Sequence, residues 1–272
     1  MTATAPPTGF ATSVEGTRLA YWRLGAGPPV VIVHGGLGSS LGWRPVAQRL
    51  ADSYEVYVYD RRGRGHSGDS ADPHSLNREI EDAEALLAVA GPGVALVAHS
   101  FGGAVALEAA RRDSSGAVGA VVVYEPAVGV GGAIAPAEID RMQVLIKDGK
   151  LEEAFDVGIA GLDAAGLVAA DARPAGAQRP EPVLALARTV PRELRAVTVP
   201  GLGFDRYAAL DLPALVLAGT RSPEPQRRNC ERLAAALPKG RLAWLDGLGH
   251  VAHTAAPDVV AAEVRGFLEA RP

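Results

Sequence analysis

The sequence predicts an α/β protein: a mostly parallel, doubly wound sheet interrupted by a helical insertion. Three observations carry that expectation. Short apolar, β-branched runs at 30–33, 94–99, 118–124 and 215–217 are continuous rather than alternating, as strands buried on both faces require. Helical patterns separate these runs, and parallel neighbours need such crossovers. Between 127 and 212 the pattern changes to helical pieces broken by Gly and Pro, with no buried strand.

Taken in order, residues 1–9, with Pro6, Pro7 and Gly9, read as a loose tail. Runs at 11–14 and 18–24 flank Glu15-Gly16-Thr17, a hairpin turn. The strand at 30–33 runs into His34-Gly35-Gly36-Leu37-Gly38-Ser39-Ser40, and a helix follows at about 41–51. A strand at 54–59 ends at Asp60 and leads into a basic, turn-rich loop, Arg61-Arg62-Gly63-Arg64-Gly65-His66-Ser67-Gly68. The helix at about 75–90 starts with Ser75 as N-cap and carries Glu79, Glu81 and Asp82 near its positive end. The apolar run at 94–99 ends in His99-Ser100 and passes through Phe101-Gly102-Gly103 into a helix reaching about 112. The strand at 118–124 ends in Glu125-Pro126.

Helical pieces at about 137–148, 150–160 and 181–189 fill the insertion. A strand at 215–217 leads to Ala218-Gly219-Thr220-Arg221-Ser222-Pro223. A helix (about 225–237), a strand (241–245), the loop 246–253 and a last helix (about 257–270) complete the chain. The expected division is a core at 1–126 and 213–272 with a helical cap at 127–212.

A chain of 272 residues suits one large domain with an insertion and can bury a sizeable core. Its net charge of −4 gives no reason to expect nucleic acid or an anionic membrane as partner. Cys230 is the single cysteine, so no intramolecular disulfide forms, which fits a reducing cytoplasm. Met1 to Phe10 lack the basic and apolar regions of a signal peptide, and no run is long enough to span a bilayer. The expectation is a cytoplasmic monomer or homodimer acting on a small molecule. No His/Cys grouping has metal spacing, and Gly35-Gly36-Leu37-Gly38 lacks the dinucleotide-binding spacing, so no cofactor or metal is expected.

In parallel sheets, ligands sit at the carboxyl ends of the strands. Ser100, the glycine loop after Val33, Glu125 and His250 all fall at such ends. A serine at a strand-to-helix turn has its hydroxyl lifted above the sheet, with the unpaired N–H groups and positive dipole of a helix start behind it. Ala98 and Gly102, two residues to either side, let the backbone pass close by.

The stretch His99-Ser100-Phe101-Gly102 resembles the nucleophile elbow of the α/β-hydrolases, G-x-S-x-G, with Ala98 in place of the first glycine. His34-Gly35-Gly36, Asp60-Arg61-Arg62-Gly63-Arg64-Gly65 and Gly247-Leu248-Gly249-His250, in that order, extend the resemblance over nearly the whole chain, to the serine branch with a helical cap. The resemblance implies Ser100 as nucleophile, His250 as its base, and an oxyanion hole from the N–H groups of Phe101 and Gly36, with Leu37 as neighbour. The family's usual acid position, Gly-x-x-Asp, reads Gly219-Thr220-Arg221-Ser222, and a serine cannot stabilise an imidazolium as a carboxylate does. Some branches carry the acid after the strand that follows the elbow helix. Here that residue is Glu125, which keeps the order Ser, acid, His. Glu224 is the rival; Asp246 lies too near His250 in sequence, and Asp258 breaks the order.

The remaining candidates follow from position. His99 is expected to point away as a structural residue, and His34 to order the glycine loop. Leu37, Trp43, Tyr124 and His253 are expected to bind substrate, and Phe101, Met142, Leu145, Phe155, Phe204 and Tyr207 are further pocket candidates. Asp60 is expected to pair with the arginines of its own turn, and Arg61, Arg62 and Arg64 to form a solvated turn rather than an anion site. The implied activity is hydrolysis of an ester, lactone or thioester of a small apolar molecule through an acyl-enzyme. A Ser nucleophile sets aside the epoxide hydrolase and haloalkane dehalogenase branches, which use Asp. Acyl transfer, C–C cleavage, perhydrolysis, cyclisation, and ligand binding without catalysis remain open alternatives.

Overall fold

The computed structural model describes residues 5–69, 74–168, 181–198 and 202–271. Eight strands form one sheet in the order β1 (Gly9–Thr12), β2 (Arg18–Leu24), β4 (Glu55–Tyr59), β3 (Pro29–Val33), β5 (Val94–His99), β6 (Val118–Tyr124), β7 (Ala214–Gly219), β8 (Gly240–Leu245). The pairs β1–β2 and β2–β4 are antiparallel, and every pair from β4 to β8 is parallel. The α/β expectation with a mostly parallel sheet therefore holds.

The period of two along each central strand divides its side chains between two cores. Val31, Val33, Leu96, Ala98, Val121, Val123, Val216 and Ala218 face one side, covered by α2 (Leu76–Ala90), α3 (Phe101–Arg112) and α8 (Glu224–Ala236). Val30, Ile32, Ala95, Val97, Val122, Tyr124, Leu215 and Leu217 face the other, covered by α1 (Ser40–Leu50), α9 (Ala252–Ala255) and α10 (Pro257–Glu269). Each fully buried Val, Ile or Leu contributes about 1.5–3 kcal/mol, so both faces are needed to hold the sheet.

Between β6 and β7 lie α4 (Pro136–Lys147), α5 (Leu151–Ala164), α6 (Glu181–Ala185), α7 (Val190–Thr198) and short 3-10 turns, with no strand among the described residues. The helical piece expected at 181–189 is in fact α6 and a 3-10 turn, and α7 follows directly. Pro191 did not end the helix because it occupies the first turn of α7, where its missing N–H costs nothing. The strand expected at 11–14 lies earlier, and Val14 is exposed, because the turn begins at Ser13, whose N–H donates to Thr17 O. The expected tail is tied down from Ala5 onward: Thr8 N–H donates to Tyr21 O, and Trp22 Nε1 donates to Ala5 O. Residues 1–4 lie outside the described residues. Among the described residues no helix is long and apolar enough to cross a membrane.

Candidate active site

Ser100 sits between β5 and α3 with φ 51° and ψ −120°. The non-glycine residues with positive φ among those described are Leu37, Ser100 and Glu125, and all three line one cavity. Each such residue costs on the order of 1–3 kcal/mol and persists only where neighbours over-determine it. Here Ser100 N–H donates to Tyr124 O (3.0 Å), Ser100 O accepts from Gly103 and Ala127 N–H (2.9 Å each), and Glu125 N–H donates to Leu217 O (3.0 Å). A Cβ on Gly102 would stand 2.4 Å from Val33 O and 2.5 Å from His34 O, so only glycine lets α3 start this close to β3.

Glu125 Oε2 lies 2.7 Å from His250 Nδ1. Its other oxygen, Oε1, accepts from Gly219 N–H at 2.8 Å and from the Ser222 hydroxyl at 2.5 Å. A carboxylate only accepts, so Nδ1 carries the ring hydrogen and Nε2 is left for a further partner. The position where the family usually carries its acid thus supplies a hydroxyl that holds the carboxylate arriving from β6, a role that sequence reading missed. Glu224 is half exposed and pairs with Arg228. Asp246 accepts from Thr220, and Asp258 pairs with Arg49. His250 and Ser100 line the same cavity, and no hydrogen bond joins their side chains among the described residues.

His34 orders the glycine loop as expected: Nδ1 lies 2.9 Å from Gly35 O, and Nε2 accepts Arg61 N–H at 3.1 Å. Burial and the nearby Arg61 hold its pKa well below the usual histidine value. His99 does not point away. It lines the cavity, donates from Nε2 to His250 O (2.9 Å) and packs 4.5 Å from the rings of both His250 and His253. As the last residue of β5, it falls on the sheet face that α1 and α9 cover, beside those rings. Burial, then His250 and His253, push its pKa far down, so it stays neutral.

Leu37, Trp43 and His253 line the cavity, with Trp43 and His253 stacked at 4.8 Å. Tyr124 does not line it. The alternation of β6 turns its ring to the covered face, where the hydroxyl donates to Gly249 O and accepts from Ala252 N–H (3.2 Å), bracing the loop that carries His250. Phe101 lines the cavity, whereas Met142, Leu145, Phe155, Phe204 and Tyr207 are buried in packing away from it.

The arginine turn is not solvated. Arg61 and Arg62 are 0% exposed and Arg64 is 2% exposed. Arg61 donates to His34 O (3.0 Å) and Gly35 O (3.2 Å) and pairs with Glu79 (2.9 Å) and Glu193 (3.1 Å). Arg62 grips both oxygens of Asp82 at 2.7 Å, and Arg64 reaches Glu193 at 2.7 Å and Leu186 O at 2.7 Å. Partner carboxylates from α2 and α7 compensate the burial, which local charge pattern does not reveal. Asp60 pairs with none of them. Its oxygens accept from Ser40 N–H and His66 N–H, each at 3.0 Å, joining the start of α1 to the arginine turn.

The cavity holds about 270 Å³. Ile134, Ile159, Leu162, Val190, Leu194 and Val197 supply apolar walls from the segment between β6 and β7. On the opposite, sheet side the backbone N–H groups of Gly36, Leu37 and Phe101 make no hydrogen bond among the described residues. Such donors at a strand-end loop and a helix start suit an oxyanion.

Residues 30–263 match the profile of the Alpha/beta hydrolase family. The chain belongs to that family. Among solved structures, an α/β-hydrolase from Sphaerobacter thermophilus superposes with a TM-score of 0.83 at 32% identity, covering 95% of this chain and 99% of that one. An esterase from a Rhodococcus species gives 0.70 at 26% identity, covering 96% and 98%. A pimeloyl-[acyl-carrier protein] methyl ester esterase of Vibrio cholerae is 38% identical over 99 residues, 36% of this α/β-hydrolase and 37% of that protein. A non-heme haloperoxidase of Rhodococcus erythropolis is 33% identical over 116 residues, 42% of each. The chain covers 32% to 43% of the length of curated relatives of this kind.

Proposed function

We propose that this α/β-hydrolase is a serine hydrolase that cleaves an ester, lactone or thioester of a small, largely apolar acyl compound through an acyl-enzyme. The observation that carries the reading is the 2.7 Å contact between Glu125 Oε2 and His250 Nδ1, made beside a serine held in the strained elbow conformation. Ser100 Oγ attacks the carbonyl carbon and passes its proton to His250 Nε2. His250 returns that proton to the departing alcohol or thiol. Water then repeats the sequence on the acyl-enzyme. Glu125 orients the ring and stabilises the imidazolium, while the N–H groups of Gly36 and Phe101 receive the oxyanion. In unliganded enzymes the base-to-nucleophile hydrogen bond is often long and tightens with substrate. The segment 127–212 acts as a lid whose apolar walls select the acyl group.

Labelling with a fluorophosphonate tests the reading directly. A single adduct on Ser100, found by peptide mass spectrometry and absent from Ser100→Ala, is the expected result. Folded protein that takes up no label and hydrolyses no p-nitrophenyl ester refutes it.

A further inference from the structure

The carboxylate of Glu193 is used on one side only. Its Oε1 accepts from Arg64 (2.7 Å) and Thr189 (2.8 Å) and pairs with Arg61 (3.1 Å). Its Oε2 is buried and has no hydrogen-bond partner. A buried acceptor left unmade costs on the order of 1–3 kcal/mol, more for a charged group, so a vacancy of this kind beside a cavity calls for a donor. The vacancy is at the reacting end of the cavity. Glu193 lines it, and Oε2 stands 3.2 Å from the point where a Cβ on Gly36 would lie. Glycine at 36 is therefore what lets this oxygen lie against the loop that is read above as an oxyanion donor.

The charge around the group narrows the chemistry. Arg61 and Arg64 neutralise the carboxylate from its other oxygen, and they would repel an ammonium brought to the same place. The other walls are mostly apolar. What remains favourable is a neutral donor.

We propose that Glu193 Oε2 accepts a hydrogen bond from a neutral hydroxyl or amide N–H carried close to the reacting carbonyl, so that the preferred substrates are hydroxyacyl or amidoacyl esters rather than plain alkyl esters. This rests on the serine-hydrolase reading for the reaction, and binding tests it separately. Calorimetry on Ser100→Ala compares ethyl esters of four- to six-carbon acids bearing a hydroxyl at C2 or C3 with their deoxy and O-methyl counterparts. At least one hydroxy ester is expected to bind about tenfold to a hundredfold tighter than both counterparts, the range of a hydrogen bond to a charged group. The double variants Ser100→Ala/Glu193→Gln and Ser100→Ala/Glu193→Asp are expected to reduce that ratio below about threefold. The Asp form keeps the charge facing Arg61 and Arg64 and serves if the Gln form does not fold. Equal affinity within each set, no binding by any member, or a preference that survives in the folded double variants overturns the proposal. Turnover of the same esters by the unmodified enzyme reports separately on Ser100 chemistry.

Discussion

Replacing Glu125 with Gln keeps the side chain's size and exchanges one oxygen for an amide NH2. The surroundings decide which oxygen is lost. Gly219 N–H stands 2.8 Å from Oε1 and needs an acceptor there, so the amide oxygen takes that place and the NH2 group takes the one 2.7 Å from His250 Nδ1. A donor at that point makes Nδ1 the acceptor and moves the ring hydrogen to Nε2. The imidazole then has no lone pair for the Ser100 proton. Loss of the orienting acid by this route lowers kcat by about 10³–10⁴, a barrier increase of roughly 4–5.5 kcal/mol. The assay is steady-state hydrolysis of p-nitrophenyl butyrate between pH 6 and 9, with circular dichroism to establish folding. A kcat within threefold of the unmodified enzyme, in a folded variant, refutes the argument. Because Ser222 Oγ lies 2.5 Å from Oε1, Glu125→Ala/Ser222→Asp empties the carboxylate site and offers a replacement carboxylate from the loop after β7, and is expected to recover about tenfold or more over Glu125→Ala alone.

Arg61→Leu strands Glu79 without its guanidinium, leaves Glu193 with Arg64 alone, and is expected to cost about 3–5 kcal/mol, read as a fall in the urea midpoint. Gly102→Ala forces a methyl to within 2.4 Å of Val33 O and is expected to cost about 1–3 kcal/mol and to depress kcat through displacement of Ser100, read by urea unfolding and ester hydrolysis. Acid is expected to weaken the fold from pH 6.5 downward. His34 and His99 have pKa values far below the 6.5 of the unfolded chain, so the unfolded state takes up protons that the folded state refuses, each adding a slope of about 1.4 kcal/mol per pH unit. Asp82, pushed up to about 6 by burial against the pull of Arg62, acts with the opposite sign between its folded value and 3.8, cancelling one histidine's share there. Urea midpoints measured from pH 8 to 5 check the sign, and a flat profile below 6.5 contradicts it.

The sheet was legible because its strands carry their own signature. Continuous apolar runs such as those of β5 and β6 mark burial on two faces without reference to anything distant. The pairing of Glu125 with His250 was legible from order along the chain and from the serine at 222. What escaped was what depends on partners far away. Arg61 and Arg62 look like a solvated charge run until α2 and α7 are folded against them. Tyr124 has the right type and neighbourhood for a substrate contact, but a single step of strand alternation turns it to the covered face. Glu193 had no signal of its own: its helix lay hidden behind Pro191, and its significance comes from Gly36, which approaches it only in three dimensions.

The anchoring of α7 has a consequence for traffic into the enzyme. Swinging this helix outward would pull Glu193 from Arg61 and Arg64 and strand charges that face no water, a penalty of about 3–5 kcal/mol. Fewer than roughly one molecule in a hundred would stand open by that route at any moment. α7 is thus the fixed jamb of the entrance rather than its door. Any opening of the roof is left to the other elements that line the cavity, among them those carrying Ile134, Ile159 and Leu162.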